Sequence, residues 1–70
     1  MRYLIVVERS ATGFSAWSPD LPGCAAVGAT REKTELQMKS AIEFHIEGLK
    51  AEGVAVPMPS TSSAWVEVAA

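Results

Sequence analysis

The sequence is poor in cysteine, which occurs once, as Cys24, in a chain of 70 residues. A single cysteine cannot form a disulfide within the chain, so the disulfide framework that stabilises many small secreted domains is excluded. Aromatic residues make up only 7% of the chain. A core built from so few large side chains is small, and we therefore expect the fold to depend on close packing or on association with another chain.

Long hydrophobic runs are also missing. The longest apolar stretch covers residues 3–7, far short of the roughly 20 residues that a helix needs to cross a bilayer. The first residues do not resemble a secretory signal, because Met1 and Arg2 lead into a run that ends at Glu8 without a small-residue cleavage site. We therefore predict a cytoplasmic protein with no membrane partner.

Basic residues are few as well. Six lysines and arginines stand against eight acidic residues, which gives a net charge of −2 and a pI of about 5.2. A surface that follows the phosphates of a nucleic acid needs clustered positive charge, so the sequence predicts no direct nucleic-acid binding. Hydrophobic residues make up 49% and charged residues 20% of the chain. This composition is typical of a globular protein, and we assign residues 1–70 to a single domain.

The strand signals are alternating and β-branched patterns. Four strands are predicted, at residues 2–8, 14–18, 24–28 and 64–68. The first strand is apolar on both faces, which favours a central position in a sheet. In the fourth, Val66 and Val68 share one face while Trp65 and Glu67 share the other.

One long amphipathic helix is predicted between the third and fourth strands. Thr30 is a suitable N-cap, the helix should begin at Arg31 and run for about twenty residues, and Gly53 is suited to the left-handed cap at its end. Its apolar face consists of Thr34, Met38, Ala41, Ile42, His45 and Leu49. The order of elements predicts an α+β fold, β-β-β-α-β, in which a small, mainly antiparallel sheet has one helix packed on one face.

Residues that could carry catalysis are sparse. His45 is the sole histidine, and it lies on the apolar face of the helix with no second ligand at a metal-binding spacing. Cys24 could be a nucleophile only if His45 met it in space, and its position between small residues is more typical of a buried side chain. The sequence contains no glycine-rich phosphate loop. We therefore predict no catalytic residues, no metal and no cofactor.

Two alternatives of other classes remain open. Most acidic residues lie on the solvent side of the helix, which leaves Glu8, Asp20 and Glu67 at strands or loops. A residual metal-dependent nuclease of the RNase H type would need such carboxylates to converge on one point. A module that binds a small molecule at a cleft between copies would need a convergent set of polar groups, which the sequence does not indicate.

Four large apolar side chains have no evident place in the predicted core. Leu36 and Phe44 project away from the apolar face of the helix, and Trp17 and Trp65 lie on the strand faces opposite to smaller apolar neighbours. Isolated exposed apolar residues are normal, and loops could cover the tryptophans. Because four such residues occur together, we predict that Trp17, Leu36, Phe44 and Trp65 form contacts with a partner protein or with another copy of the chain.

A specific run of residues follows the second strand. The loop Pro19-Asp20-Leu21-Pro22-Gly23-Cys24 leads to Val27-Gly28-Ala29-Thr30 and to a helix that carries Ala41-Ile42-Glu43. Together with the first strand, Tyr3-Leu4-Ile5-Val6-Val7-Glu8, and with Val56-Pro57 after the helix, this pattern resembles the HicB-like antitoxin family. Members of that family are partially degraded RNase H-like domains of bacterial and archaeal toxin–antitoxin pairs.

The resemblance implies a β-β-β-α-β fold whose nuclease acids have been lost. It also implies a function, since family members neutralise a small RNA-cleaving HicA toxin by occluding its active site, and short members exist as stand-alone proteins. We therefore expect a non-catalytic protein-binding module that forms a homo-oligomer, a dimer or a tetramer, and that has a HicA-type toxin as a possible partner. Many members add a C-terminal DNA-binding part, and because this sequence stops at Ala70 we expect no operator binding by this chain.

Overall fold

The computed structural model describes residues 1–69 as three strands followed by one helix. The elements are β1 (Val6–Arg9), β2 (Phe14–Trp17), β3 (Ala25–Gly28) and α1 (Arg31–Ala51). The strands form one antiparallel sheet in the order β1-β2-β3. Helix α1 packs on one face of this sheet, chiefly against β3 and β2. The predicted α+β class is therefore confirmed.

The register of the sheet decides which side chains face the helix. Val7 pairs with Ala16, and Ala16 pairs with Ala26. These three residues share the face that packs against α1, since paired residues point to the same side of a sheet. The opposite face, which carries Trp17 and Val27, has no helix over it, and we refer to it as the open face.

The loop between β2 and β3 closes one end of the core with two tight turns. The Leu21 N–H donates to the Ser18 carbonyl at 3.2 Å, and the Cys24 N–H donates to the Leu21 carbonyl at 3.1 Å. Gly23 has a φ of 83°, a left-handed conformation that glycine adopts without steric cost. The turns bury Leu21 and Cys24, so the prediction of Cys24 as a small buried side chain is confirmed.

Helix α1 begins and ends where the sequence predicts. The Thr30 Oγ1 accepts a hydrogen bond from the Lys33 N–H at 3.1 Å, as an N-cap does. At the other end Gly53 has a φ of 72° and its N–H donates to the Lys50 carbonyl at 3.1 Å. This is the left-handed cap expected of a glycine that follows a helix.

The core lies between α1 and the sheet and is small. Its buried apolar residues are Ala16, Leu21, Cys24 and Met38. Two hydroxyl groups are buried with them, and both have partners: the Thr34 hydroxyl donates to the Thr30 carbonyl at 2.7 Å, and the Ser18 hydroxyl donates to the Leu4 carbonyl at 3.1 Å. Thr34 also lies close to Gly28, where an added Cβ would come within 2.6 Å of its hydroxyl oxygen. Only a glycine at the end of β3 permits this approach of helix and sheet.

Two strand predictions differ from the structure. The first strand is predicted to be central, but β1 stands at the edge of the sheet and pairs with β2 alone. The fourth strand, predicted at 64–68, pairs with no other strand within residues 1–69 and carries no regular secondary structure. An alternating pattern does not by itself make a strand, because an extended segment makes no backbone hydrogen bonds of its own until it pairs with another strand.

Helix α1 is too polar to cross a bilayer, and residues 1–69 contain no other helix that could do so.

Candidate functional site

Asp20 binds the C-terminal part of the chain to the loop between β2 and β3. Its Oδ1 accepts hydrogen bonds from the hydroxyls of Ser60 at 3.0 Å and Thr61 at 2.8 Å. Its Oδ2 accepts from the backbone N–H groups of the same two residues, each at 3.1 Å. Hydrogen bonds to a carboxylate favour its charged form, and those from Thr61 and then Ser60 lower the pKa of Asp20 to about 2.

Tyr3 provides a second point of attachment. Its hydroxyl donates to the Pro57 carbonyl at 2.6 Å. Residues 57–61 are thus held against Tyr3, which precedes β1, and against the Asp20 loop. The sequence predicts the loop as a family motif, but no local pattern signals that its acid binds residues 40 positions away.

The segment that follows these attachments, residues 64–68, is exposed along its length, and we call it the tail. Trp65 is fully exposed, and the exposed fractions of Val66 and Val68 are 80% and 74%. A large apolar patch on a soluble protein commonly marks a site of association. The tail therefore combines an alternating strand pattern with side chains that have no cover in the isolated chain.

An apolar groove lies between the residues that precede β1 and helix α1. It has a volume of about 420 Å³. Its apolar lining consists of Met1, Tyr3, Ile5, Met38, Ile42 and Ile46, and its charged lining of Glu35, Lys39 and Glu43. A surface of this composition suits apolar side chains of a protein partner better than a polar small molecule, which needs several converging hydrogen-bonding groups.

The outer side of α1 carries two more exposed apolar residues. Leu36 is 67% exposed and Phe44 is 80% exposed. They stand two turns apart, about 12 Å along the helix axis, and on the side of α1 that faces away from the sheet. Glu43 and Glu47 flank Phe44. The Phe44 ring is therefore exposed between two negatively charged side chains.

Trp17 lies on the open face of the sheet. It is 44% exposed, and its indole N–H donates to Glu8 Oε1 at 3.4 Å. All four residues predicted as contacts are therefore exposed, but they occupy three surfaces and not one. Leu36 and Phe44 lie on the helix, Trp17 lies on the open face, and Trp65 lies in the tail.

The acids considered for a nuclease do not form a metal-binding cluster within the part of the chain that the structure describes. No three of its His, Cys, Asp and Glu side chains could hold one metal ion. Of the acids considered for a nuclease, Glu8 accepts a hydrogen bond from Trp17, and Asp20 is occupied by Ser60 and Thr61. Burial raises the pKa of the Cys24 thiol, which disfavours the reactive thiolate.

The sequence matches a known protein family over almost the whole chain. The family described as "HicB_like antitoxin of bacterial toxin-antitoxin system" matches residues 3–69.

Two curated proteins are similar to this chain. A protein of Haemophilus phage HP1, described as an uncharacterized 14.9 kDa protein in the rep-hol intergenic region, is 39% identical over 57 residues. The aligned region covers 81% of this chain and 43% of the phage protein, so the chain spans less than half the length of that relative. A UPF0150 protein of Thermoplasma acidophilum is 31% identical over 58 residues, which cover 81% of this chain and 84% of that protein.

A solved structure is similar in both fold and sequence. One chain of the HicA3 and HicB3 toxin-antitoxin complex superposes with a TM-score of 0.74 and 32% sequence identity. The superposition covers 86% of this chain and 70% of that chain.

Proposed function

Because the chain belongs to the family of HicB-like antitoxins of bacterial toxin–antitoxin systems, we propose that it neutralises a small RNA-cleaving toxin of the HicA type by binding it. The resemblance predicted from the Pro19–Cys24 loop is confirmed by the family match over residues 3–69. The observation that carries the proposal is the similarity to a chain of a toxin-antitoxin complex. In this role the chain acts by covering a surface, without catalysis.

The exposed helix surface has the chemistry that such binding needs. Interfaces depend on a few buried anchors, and aromatic side chains are enriched among them. Phe44 is such an anchor, since it is 80% exposed and no part of the core depends on it. An enzyme that cleaves RNA presents positive charge to its substrate, and the glutamates beside Phe44 complement a basic surface.

We also propose a location for the chain, its relation to nucleic acid and its state of association. A toxin that cleaves cellular RNA acts in the cytoplasm, and we place the chain there. We propose no direct contact with nucleic acid, because the net charge of −2 opposes it. We also propose that the chain forms a homo-oligomer, as a stand-alone relative would.

Co-expression tests the antitoxin role. The toxin to use is the product of the neighbouring reading frame, if that frame encodes a small basic protein with a histidine suited to RNA cleavage. Expression of the toxin alone should stop growth, and expression of both chains should restore it. Phe44→Glu should weaken the rescue, since it places a charge at the centre of the proposed contact.

Thr12→Glu is the matched control, because it introduces the same charge at an exposed position in the turn between β1 and β2. It should leave rescue unchanged. Toxicity that persists with the wild-type chain present would contradict the antitoxin role. So would a neighbouring reading frame that encodes no small basic protein of this kind. The chain would then be a stand-alone oligomeric relative.

A further inference from the structure

We propose that the tail of one chain adds as a strand to the free edge of the first strand in a second copy, and that Val66 and Val68 then fill the groove beside that edge. The exchange is reciprocal, so each copy both gives and receives a tail. This inference rests on the proposed homo-oligomer and is independent of any toxin.

The tail has the properties of a strand that lacks a partner. Its residues alternate between two faces, with Val66 and Val68 on one and Trp65 and Glu67 on the other. The two valines are β-branched and suit a strand. All of these side chains are exposed in the isolated chain.

The receiving edge is equally unpartnered. Strand β1 stands at the edge of the sheet, and residues 2–5, which precede it, carry no strand pairing. A cleft of about 610 Å³ lies between these residues and residues 61–63 of the same chain. An exposed edge of this kind presents a row of backbone N–H and C=O groups that can pair with a strand of another chain.

Side-chain chemistry matches on both sides of the added strand. On the helix side the groove offers six apolar residues, among them Ile42 and Ile46, to the two valines of the tail. On the open face, alternation places Arg2 and Val6 at the same edge. Glu67 can pair with the charge of Arg2, and Trp65 can cover Val6.

The surface area supports a second copy as the occupant. A compact monomer of 7.4 kDa exposes about 4,200 Å², whereas this chain exposes 5535 Å². The difference of about 1,300 Å² per chain means that two chains have enough surplus surface for a stable interface, which buries about 1,200–2,000 Å² in total. The radius of gyration agrees, since it is 13.8 Å where a compact chain of this length has about 11 Å.

One chain carries both halves of the contact, a tail and an edge. Two copies related by a twofold axis therefore satisfy each other, and no third component is needed. The hydrogen bonds of Asp20 and Tyr3 fix the point from which the tail leaves the body. The residues that precede the tail are therefore already ordered, and their conformational entropy is not lost again on association.

Sedimentation equilibrium of the full chain over a range of concentrations is the first test. The wild-type chain should have a mass of at least twice 7.4 kDa. The double variant Val66→Glu and Val68→Glu should sediment as a monomer at the same concentrations. Its core should still fold, with the helical circular dichroism signal of α1 retained, because neither valine packs against the core in the isolated chain.

Val27→Glu is the matched control, since Val27 is 74% exposed on β3, at the opposite edge of the sheet. It should leave the mass unchanged. Phe44→Glu separates this inference from the proposed function. If Phe44→Glu dissociates the oligomer and the tail variant does not, strand exchange is wrong while the oligomer and its helix surface stand.

A sample that mixes isotope-labelled and unlabelled chains identifies the partner directly. Strand exchange predicts nuclear Overhauser effects between the Val66 methyls of one chain and the Ile42 methyls of another. A monomeric wild-type chain, whether its tail is free or folded back on its own groove, would overturn the inference. So would an oligomer in which these effects occur only within one chain.

Discussion

Asp20 and Thr61, 41 positions apart in the sequence, are joined by two hydrogen bonds, one from the Thr61 hydroxyl at 2.8 Å and one from its backbone N–H at 3.1 Å. The pair fastens the chain after the helix to the loop between β2 and β3. It therefore fixes the end of the folded body and the starting point of the tail.

Acid should release this attachment. The pKa of Asp20 in the folded chain is about 2, below its ordinary value of 3.8. A lowered pKa means that the stabilisation is fully present above pH 4 and is lost as the pH falls towards 2. The amide resonance of Thr61, followed by nuclear magnetic resonance from pH 6 downwards, should shift with a midpoint near pH 2.

Asp20→Asn is the comparison for this titration. The amide keeps the shape of the side chain but removes its charge, so the shift of the Thr61 amide near pH 2 should disappear. In the variant, hydrogen exchange at residues 60–61 should be faster at neutral pH. A Thr61 titration that persists in Asp20→Asn would show that another group causes it.

Gly48→Ala should stabilise the chain. Gly48 lies inside α1, and an added Cβ there would meet nothing within 4 Å. Alanine in a helix interior is favoured over glycine by about 1 kcal/mol. Urea denaturation at one fixed protein concentration should therefore give a higher free energy of unfolding. Gly28→Ala should lower it, because a Cβ at Gly28 would lie 2.6 Å from the Thr34 hydroxyl oxygen.

Substitutions at Met38 and Leu36 should differ in their effect on folding stability. Met38 is fully buried between α1 and the sheet, so Met38→Ala should lower the free energy of unfolding by about 2–5 kcal/mol. Leu36 is 67% exposed on the same helix, and Leu36→Ala should change that free energy by less than about 0.5 kcal/mol. Similar losses in the two variants, measured by urea denaturation, would mean that Leu36 is buried in solution.

Cys24 should resist thiol reagents in the folded chain. It is buried, and desolvation raises the pKa of its thiol, so the thiolate is scarce at neutral pH. Labelling with a chromogenic disulfide should be slow in buffer and fast in denaturing urea. Fast labelling of the folded chain would place Cys24 at the surface, in conflict with its position in the core.

Local signals account for what could be predicted from the sequence. Thr30 and Gly53 mark the helix ends through interactions within a few residues, and the alternation around Val7 and Ala16 gives the sheet its buried face. The exposure of Phe44 follows from its position on the helix. Each of these features depends on spacing along the chain, which can be read directly.

Non-local pairing accounts for what could not be predicted. The apolar faces of the first strand indicate a central position, but β1 pairs with β2 alone, because an apolar face records burial and not the number of neighbouring strands. The tail has the pattern of a strand and lacks a partner within residues 1–69. The bonds between Asp20 and Ser60 join polar residues that each look like an ordinary loop residue.

The attachment at Asp20 also divides the chain into parts that can evolve separately. Everything that forms the core precedes residue 60, and substitutions in the tail disturb no buried contact of the isolated chain. Selection can therefore alter the tail without a penalty in folding. Under the proposed strand exchange, changes at residues 64–68 alone would alter which copies associate, so a duplicated chain would separate from its sibling without any change in the body.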